Sequence, residues 1–258
     1  MLNLPNNGEA TERSQNEQAA DNMLREMAVD FLTNNDEIRK SPHWNWHLSL
    51  FLRRQTLSRL LYLNQIYQEI IEIPGYILEF GVQHGATLSS LASLRGVHEP
   101  FNHSRKIIGF DTFSGLSGSN KFNDGLLVQD GQYEVGLTWA DTLQDILSIQ
   151  ENFSPISHIK KFEIVKGDVK QTLPEWLDKN PGAAVAMAIF DFDIYEPTRI
   201  AIELIKDRLL SNSIVVFDEF SCAHFPGETK AVMDSLGLNN LQLKRSPLQP
   251  YCAYGTLK

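Results

Sequence analysis

A chain of 258 residues has room for one large α/β core or two small ones, and a composition 42% hydrophobic and 21% charged is that of an ordinary globular protein. Its net charge of −9 offers no positive field for nonspecific binding to nucleic acid or to an anionic membrane, so the expected partner is a small molecule. Two cysteines, Cys222 and Cys252, suggest neither a disulfide framework nor a Cys-rich zinc site; with no leader pattern and no apolar run near the roughly 18 residues of a membrane span, the expected setting is the cytoplasm.

The polar, acidic stretch 1–20 reads as a flexible arm. Leu24, Met27, Ala28, Phe31 and Leu32 then recur at intervals of three and four, and Leu57, Leu60, Leu61, Tyr67, Ile70 and Ile71 repeat the signal. Residues 21–73 therefore read as an N-terminal helical cap, closed by the breaker pair Pro74-Gly75. Across 74–258, short β-type runs at 76–81, 106–111, 162–166, 184–191 and 213–218 alternate with helical stretches at 87–94, 140–150, 198–210 and 229–236. That alternation predicts an α/β, Rossmann-like domain, a mostly parallel sheet flanked by helices. The glycine-rich segment 112–138 has no periodicity and reads as a lid-like loop.

In ILEFGVQHGATLSSLA, residues 77–92, a strand ends in Glu79, a turn runs through Gly81 and Gly85, and a helix begins near Thr87. Glycines there let a ligand approach the backbone, and a carboxylate accepts hydrogen bonds from it. The spacing is not the G-x-G-x-x-G of dinucleotide folds, which argues against a nicotinamide-dependent oxidoreductase. KIIGFDTF ends the next strand in Asp111, a position from which a carboxylate reaches both ribose hydroxyls of an adenosine. In FEIVKGDVKQTLPEW, Gly167 and Asp168 either meet an adenine edge or merely turn the chain.

AIFDFDIYEPT places Asp191 and Asp193 at one strand end, and SIVVFDEFS places Asp218 and Glu219 at the next. On neighbouring strands four such carboxylates would repel strongly, and Mg²⁺ or another hard divalent cation held by oxygen ligands would relieve that repulsion. The plain alternative is that one or two of them face solvent or cap helices. His84 and His224 read as loop histidines, and the aromatic segment 44–47 lines a pocket or pins a loop.

Taken in order, ILEFGVQHGATL, IIGFDTFSGL, VKGDVKQTLPEW, IFDFDIYEPT and VVFDEFS, with PGETKAV behind it, resemble the macrocin O-methyltransferase family over residues 57–236. The resemblance implies a class I methyltransferase fold, S-adenosylmethionine as methyl donor, a sugar hydroxyl of a glycosylated natural product as acceptor, and a homo-oligomer. By position it assigns Glu79, Gly81, Gly85 and Thr87 to the first cofactor turn, Asp111 to the ribose, and Gly167 and Asp168 to the adenine. Asp191, Asp218 and Glu219 become magnesium ligands, Asp191 also bordering the cofactor. The family has two aspartates where this chain has Asp218-Glu219. The expected reaction is in-line methyl transfer from a sulfonium to a hydroxyl oxygen. Asp193, two residues beyond Asp191 on the same face, is the first candidate base, and His224 the second. A metal-dependent hydroxylase or hydrolase of the cephalosporin hydroxylase-like group and a non-catalytic cofactor-binding protein remain as alternatives.

Overall fold

The computed structural model describes residues 15–136 and 138–258. The chain divides into two compact units, 1–60 and 61–258. In the first, α1 (Gln15–Asn34) is followed by α2 (Asp36–Arg39), a 3₁₀ turn over Trp44–Phe51 and the start of α3 (Arg54–Gln68). The arm expected over 1–20 lies outside the described residues up to 14, and from Gln15 onward it is helix. Asp21 anchors this unit: its carboxylate accepts from Arg53 at 2.5 Å and from Arg25 at 2.9 Å. Phe31 packs edge-on against Phe51, while Trp44 and Trp46 stay exposed.

The second unit carries β1 (Tyr76–Phe80), α4 (Ala86–His98), β2 (Ile107–Asp111), α5 (Lys121–Asp124), α6 (Trp139–Glu151), β3 (Phe162–Lys166), α7 (Val169–Lys179), β4 (Val185–Phe190), α8 (Tyr195–Ile205), β5 (Leu209–Phe217), α9 (Gly227–Ser235), β6 (Leu241–Ser246) and β7 (Gln249–Leu257). The seven strands form one sheet in the order β3-β2-β1-β4-β5-β7-β6. β1 to β5 run parallel, and β7 pairs antiparallel with both β5 and β6. All six residues of β4 are buried, as a central parallel strand covered on both faces requires. Successive residues serve opposite faces: Ile77, Met187 and Ile189 pack with Leu63, Ile66 and Leu143, whereas Leu78, Ala188 and Phe190 pack with Leu173, Trp176 and Ile202.

The five parallel strands fall on the expected runs, several element ends being shifted, and α4 extends to His98 rather than 94. The strand expected at 213–218 begins at Leu209, and the helix expected at 198–210 stops at Ile205. The larger compact unit also begins before residue 74, because Tyr62, Leu63, Ile66 and Tyr67 of α3 are buried in the core that contains Ile77. Among the described residues no helix is long and apolar enough to cross a membrane.

In-register pairing sets the level of every strand end. Phe110, Phe80, Phe190 and Phe217 are cross-strand partners on β2, β1, β4 and β5. Their rings stack in a row, each 5.2 Å from the next. The residues that follow them, Asp111, Gly81, Asp191 and Asp218, consequently emerge side by side at one edge.

Candidate active site at the carboxyl edge of the sheet

A cavity of about 280 Å³ opens at that edge, where open parallel sheets bind their ligands. Glu79, Gly81, Thr87, Asp111, Gly167, Asp168 and Asp191 all line it. The first turn depends on its glycines: Gly81 has φ +96°, and a Cβ there would lie 2.0 Å from the Asp191 carbonyl oxygen. Gly85, at φ +85°, starts α4 with no room for a side chain against Leu143. Glu79 is buried in β1 beneath this turn.

Asp111 ties the turn down. Its Oδ2 accepts the N–H groups of Val82 at 2.6 Å and Gln83 at 2.7 Å, and its Oδ1 accepts that of Phe113 at 2.6 Å. Asp168 lines the cavity and also caps α7, its Oδ1 accepting from the Lys170 N–H at 2.9 Å. Both readings of that Gly-Asp pair are therefore compatible with its placement.

On the other side, Asp191, Asp193 and Glu219 line the cavity, and Asp218 accepts a hydrogen bond from the Cys252 thiol at 3.1 Å. Asp193 sits at φ +62°. Burial, then the nearby Glu219 and Asp218, push its carboxyl up to about 8. A further acid, Glu228 at the start of α9, joins the group fully buried. Burial and the neighbouring Asp193 and Asp218 raise its carboxyl well above the ordinary range, while its oxygens accept the N–H groups of Asp193 at 3.3 Å and Glu219 at 3.1 Å.

The acids thus share one neighbourhood. Among the described residues no three His, Cys, Asp or Glu side chains are grouped so as to hold an ion as they stand. Asp218 accepts from the Cys252 thiol beside them. The donor chemistry still suits a hard cation: carboxylate oxygens are its preferred ligands, and a dication would relieve the repulsion that Glu219 and Asp218 add to burial at Asp193.

His224, the second candidate base, is not among the cavity-lining residues; its Nε2 is buried with no hydrogen-bond partner among the described residues. His84 is exposed at the rim and packs edge-on against Trp139. Tyr133, which sequence reasoning did not single out, reaches the cavity from the 112–138 loop with φ +66°. Burial, then Asp193, Glu219 and Asp191, push its hydroxyl up, so it remains a hydrogen-bond donor across the working pH range. That loop is docked through α5: buried Asp124 accepts the N–H of Tyr195 on Oδ1 and that of Asn120 on Oδ2, both at 2.7 Å. Val128 joins it to Ile194 and Phe225.

A protein family described as methyltransferase domain matches residues 78–220, more than half of the chain and the span that holds all these strand-end acids. The chain belongs to this methyltransferase family. The enzyme is also similar to solved structures along nearly its whole length. It shares 34% identity with calicheamicin methyltransferase CalS11, covering 95% of this chain and 94% of that one at a TM-score of 0.86. An apo structure of CalS11, described as a TDP-rhamnose 3'-O-methyltransferase in calicheamicin biosynthesis, matches at 33% identity over 95% and 96% of the two chains with a TM-score of 0.79. The O-methyltransferase NovP, at 17% identity, 78% and 80% coverage and a TM-score of 0.55, shares the fold. Comparison with curated protein sequences gives no match.

Proposed function

We propose that this methyltransferase moves the methyl group of S-adenosylmethionine to a sugar hydroxyl on a precursor of a glycosylated natural product, with help from a divalent cation. One observation carries the reading: a single cavity has Glu79 and Asp111 on one flank and Asp191, Asp193 and Glu219 on the other. The first flank suits a cationic donor with a ribose, and the second suits an acceptor hydroxyl that must lose a proton. The sugar comes from two supports, the macrocin-type motifs and the rhamnose acceptor named for CalS11. Both also support an antibiotic-type pathway.

In this proposal Asp111 offers its remaining acceptor position to a ribose hydroxyl, Glu79 receives the donor's amino acid portion, Gly81 lines the turn beside it, and Gly85 lets that turn pack on Leu143 as α4 begins. Gly167 and Asp168 border the adenine. Asp191, Asp218 and Glu219 would hold the cation, whose chemistry is to lower the pKa of a bound hydroxyl and orient its oxygen. Asp193 takes the hydroxyl proton as general base, and Tyr133 donates a hydrogen bond that orients the acceptor. We also propose a homo-oligomer, which would cover Met23, Met27, Trp46 and Leu50, all exposed in the 1–60 unit.

The test is a methyl-transfer screen over sugar nucleotides and glycosides, starting with TDP-rhamnose, with light scattering on the same protein. A methylated sugar is the expected product. Transfer to catechols or carboxylates alone would sink the sugar reading, and a monomer would remove the oligomer.

A further inference from the structure

The first turn of α9 touches both of the turns that carry the acidic rim. Gly227 packs so closely on the turn after β4 that a Cβ would lie 2.6 Å from the Tyr195 amide nitrogen and 2.6 Å from Asp124 Oδ1. Glu228 bridges the two turns, Oε1 accepting the Asp193 N–H and Oε2 the Glu219 N–H. Thr229 Oγ1 accepts the N–H of Ser221 at 2.8 Å. Two residues held in this way, Asp193 at φ +62° and Ser221 at φ +59°, occupy the left-handed region. Side chains with a Cβ stay there only where their surroundings over-determine the backbone.

We propose that Glu228 is a positioning residue for methyl transfer, its two carboxyl oxygens clamping the Asp193 turn to the Glu219 turn and so fixing how the two acids are set beside each other on their shared flank of the cavity. The inference rests on the O-methyltransferase reading given above. A carboxyl group is an expensive way to fill a fully buried position, since an apolar side chain carries no desolvation penalty. What it adds is a second acceptor oxygen, which neither an apolar side chain nor an amide supplies. Both oxygens are used here, one for each turn.

The test is Glu228→Gln in the full-length protein, which keeps the shape and replaces one acceptor by an NH₂ donor. Three quantities are read: backbone hydrogen exchange, S-adenosylmethionine affinity by calorimetry, and steady-state methyl transfer to TDP-rhamnose in Mg²⁺. In the wild type, the Asp193 and Glu219 amides should exchange as slowly as those of β4 and β5. In the variant, peptides covering 191–194 and 218–221 should exchange about tenfold faster while those covering 79–87 keep wild-type rates. Donor affinity should stay within about twofold while kcat falls about tenfold with little change in acceptor KM, because misplacing a reacting group costs rate more than affinity. Glu228→Asp, with two acceptor oxygens again, should recover part of the lost kcat.

Rapid exchange of both amides in the wild type overturns the clamp, even if the Gln variant fails to fold. So does a folded Gln variant with wild-type kcat, or one in which exchange loosens everywhere and donor affinity falls as much as kcat. Should the wild type methylate no sugar, the functional reading fails on that result alone, and the exchange of the two amides still decides whether the clamp exists.

Discussion

Asp111 commits three of a carboxylate's roughly four acceptor positions to the backbone N–H groups of Val82, Gln83 and Phe113. It therefore builds the first turn as well as facing the cavity. Asp111→Ala should lower S-adenosylmethionine affinity at least about tenfold and cost about 1–3 kcal/mol of stability through the N–H groups left without their acceptor. Calorimetry and urea unfolding read the two effects separately, and unchanged affinity would remove Asp111 from the donor site. Its place was legible because EFG, GFD, IFD and VFD repeat at four strand ends, and each Phe belongs to the stacked row that aligns them. Glu228 and Tyr133 were not legible in that way. One follows a proline-glycine pair at a helix start and the other lies in a loop without period, so only the packed chain brings them to the acids.

Between elements, a buried network joins the end of α3, the end of α4 and the approach to β2. Glu99 accepts from Arg105 Nε at 2.9 Å, from the Tyr67 hydroxyl at 2.6 Å and from Asn102 at 2.7 Å, and Arg105 reaches on to the carbonyls of Ile70 and Gly75. Burial works to raise the Glu99 carboxyl, but the hydrogen bonds from Arg105, Tyr67 and Asn102 outweigh it and hold the group below its ordinary value. A lowered folded-state pKa gives stability that is present above the unfolded carboxyl value and is lost as pH falls through the folded one. Glu99→Gln should cost about 3 kcal/mol at neutral pH by leaving Arg105 buried without its charge partner. Denaturant unfolding at a series of pH values should show that gap narrowing below the ordinary carboxylate range; a gap constant with pH would mean the charge contributes nothing. Elements with strong periods were readable from the sequence, whereas α7, interrupted by Pro174, and the β6–β7 hairpin were not. Its strands, largely solvent-facing in β6, carry too little apolar alternation to mark them, and the pairing of β7 with β5 and of β6 with β7 is what defines them.

At the scale of the whole molecule, the proposed cation site draws on the ends of β4 and β5 and so exists only in the folded chain. An ion that binds there stabilises the fold by mass action, by about 2.7 kcal/mol at one hundred times its Kd. Thermal unfolding in Mg²⁺ and in EDTA should differ accordingly, and Asp218→Asn should abolish most of the difference. Indifference to Mg²⁺ in protein verified as metal-free would rule out the metal role. The order of the five parallel strands, the Rossmann-like class and the acids at successive strand ends were determined by the sequence, because apolar period and turn chemistry are local properties. Which strands became neighbours, that Asp193 is held in a left-handed turn, and that Glu228 reaches across to two backbone amides were decided by tertiary structure alone. Those outcomes depend on pairing register and on close packing between segments far apart along the chain, and no local pattern encodes either.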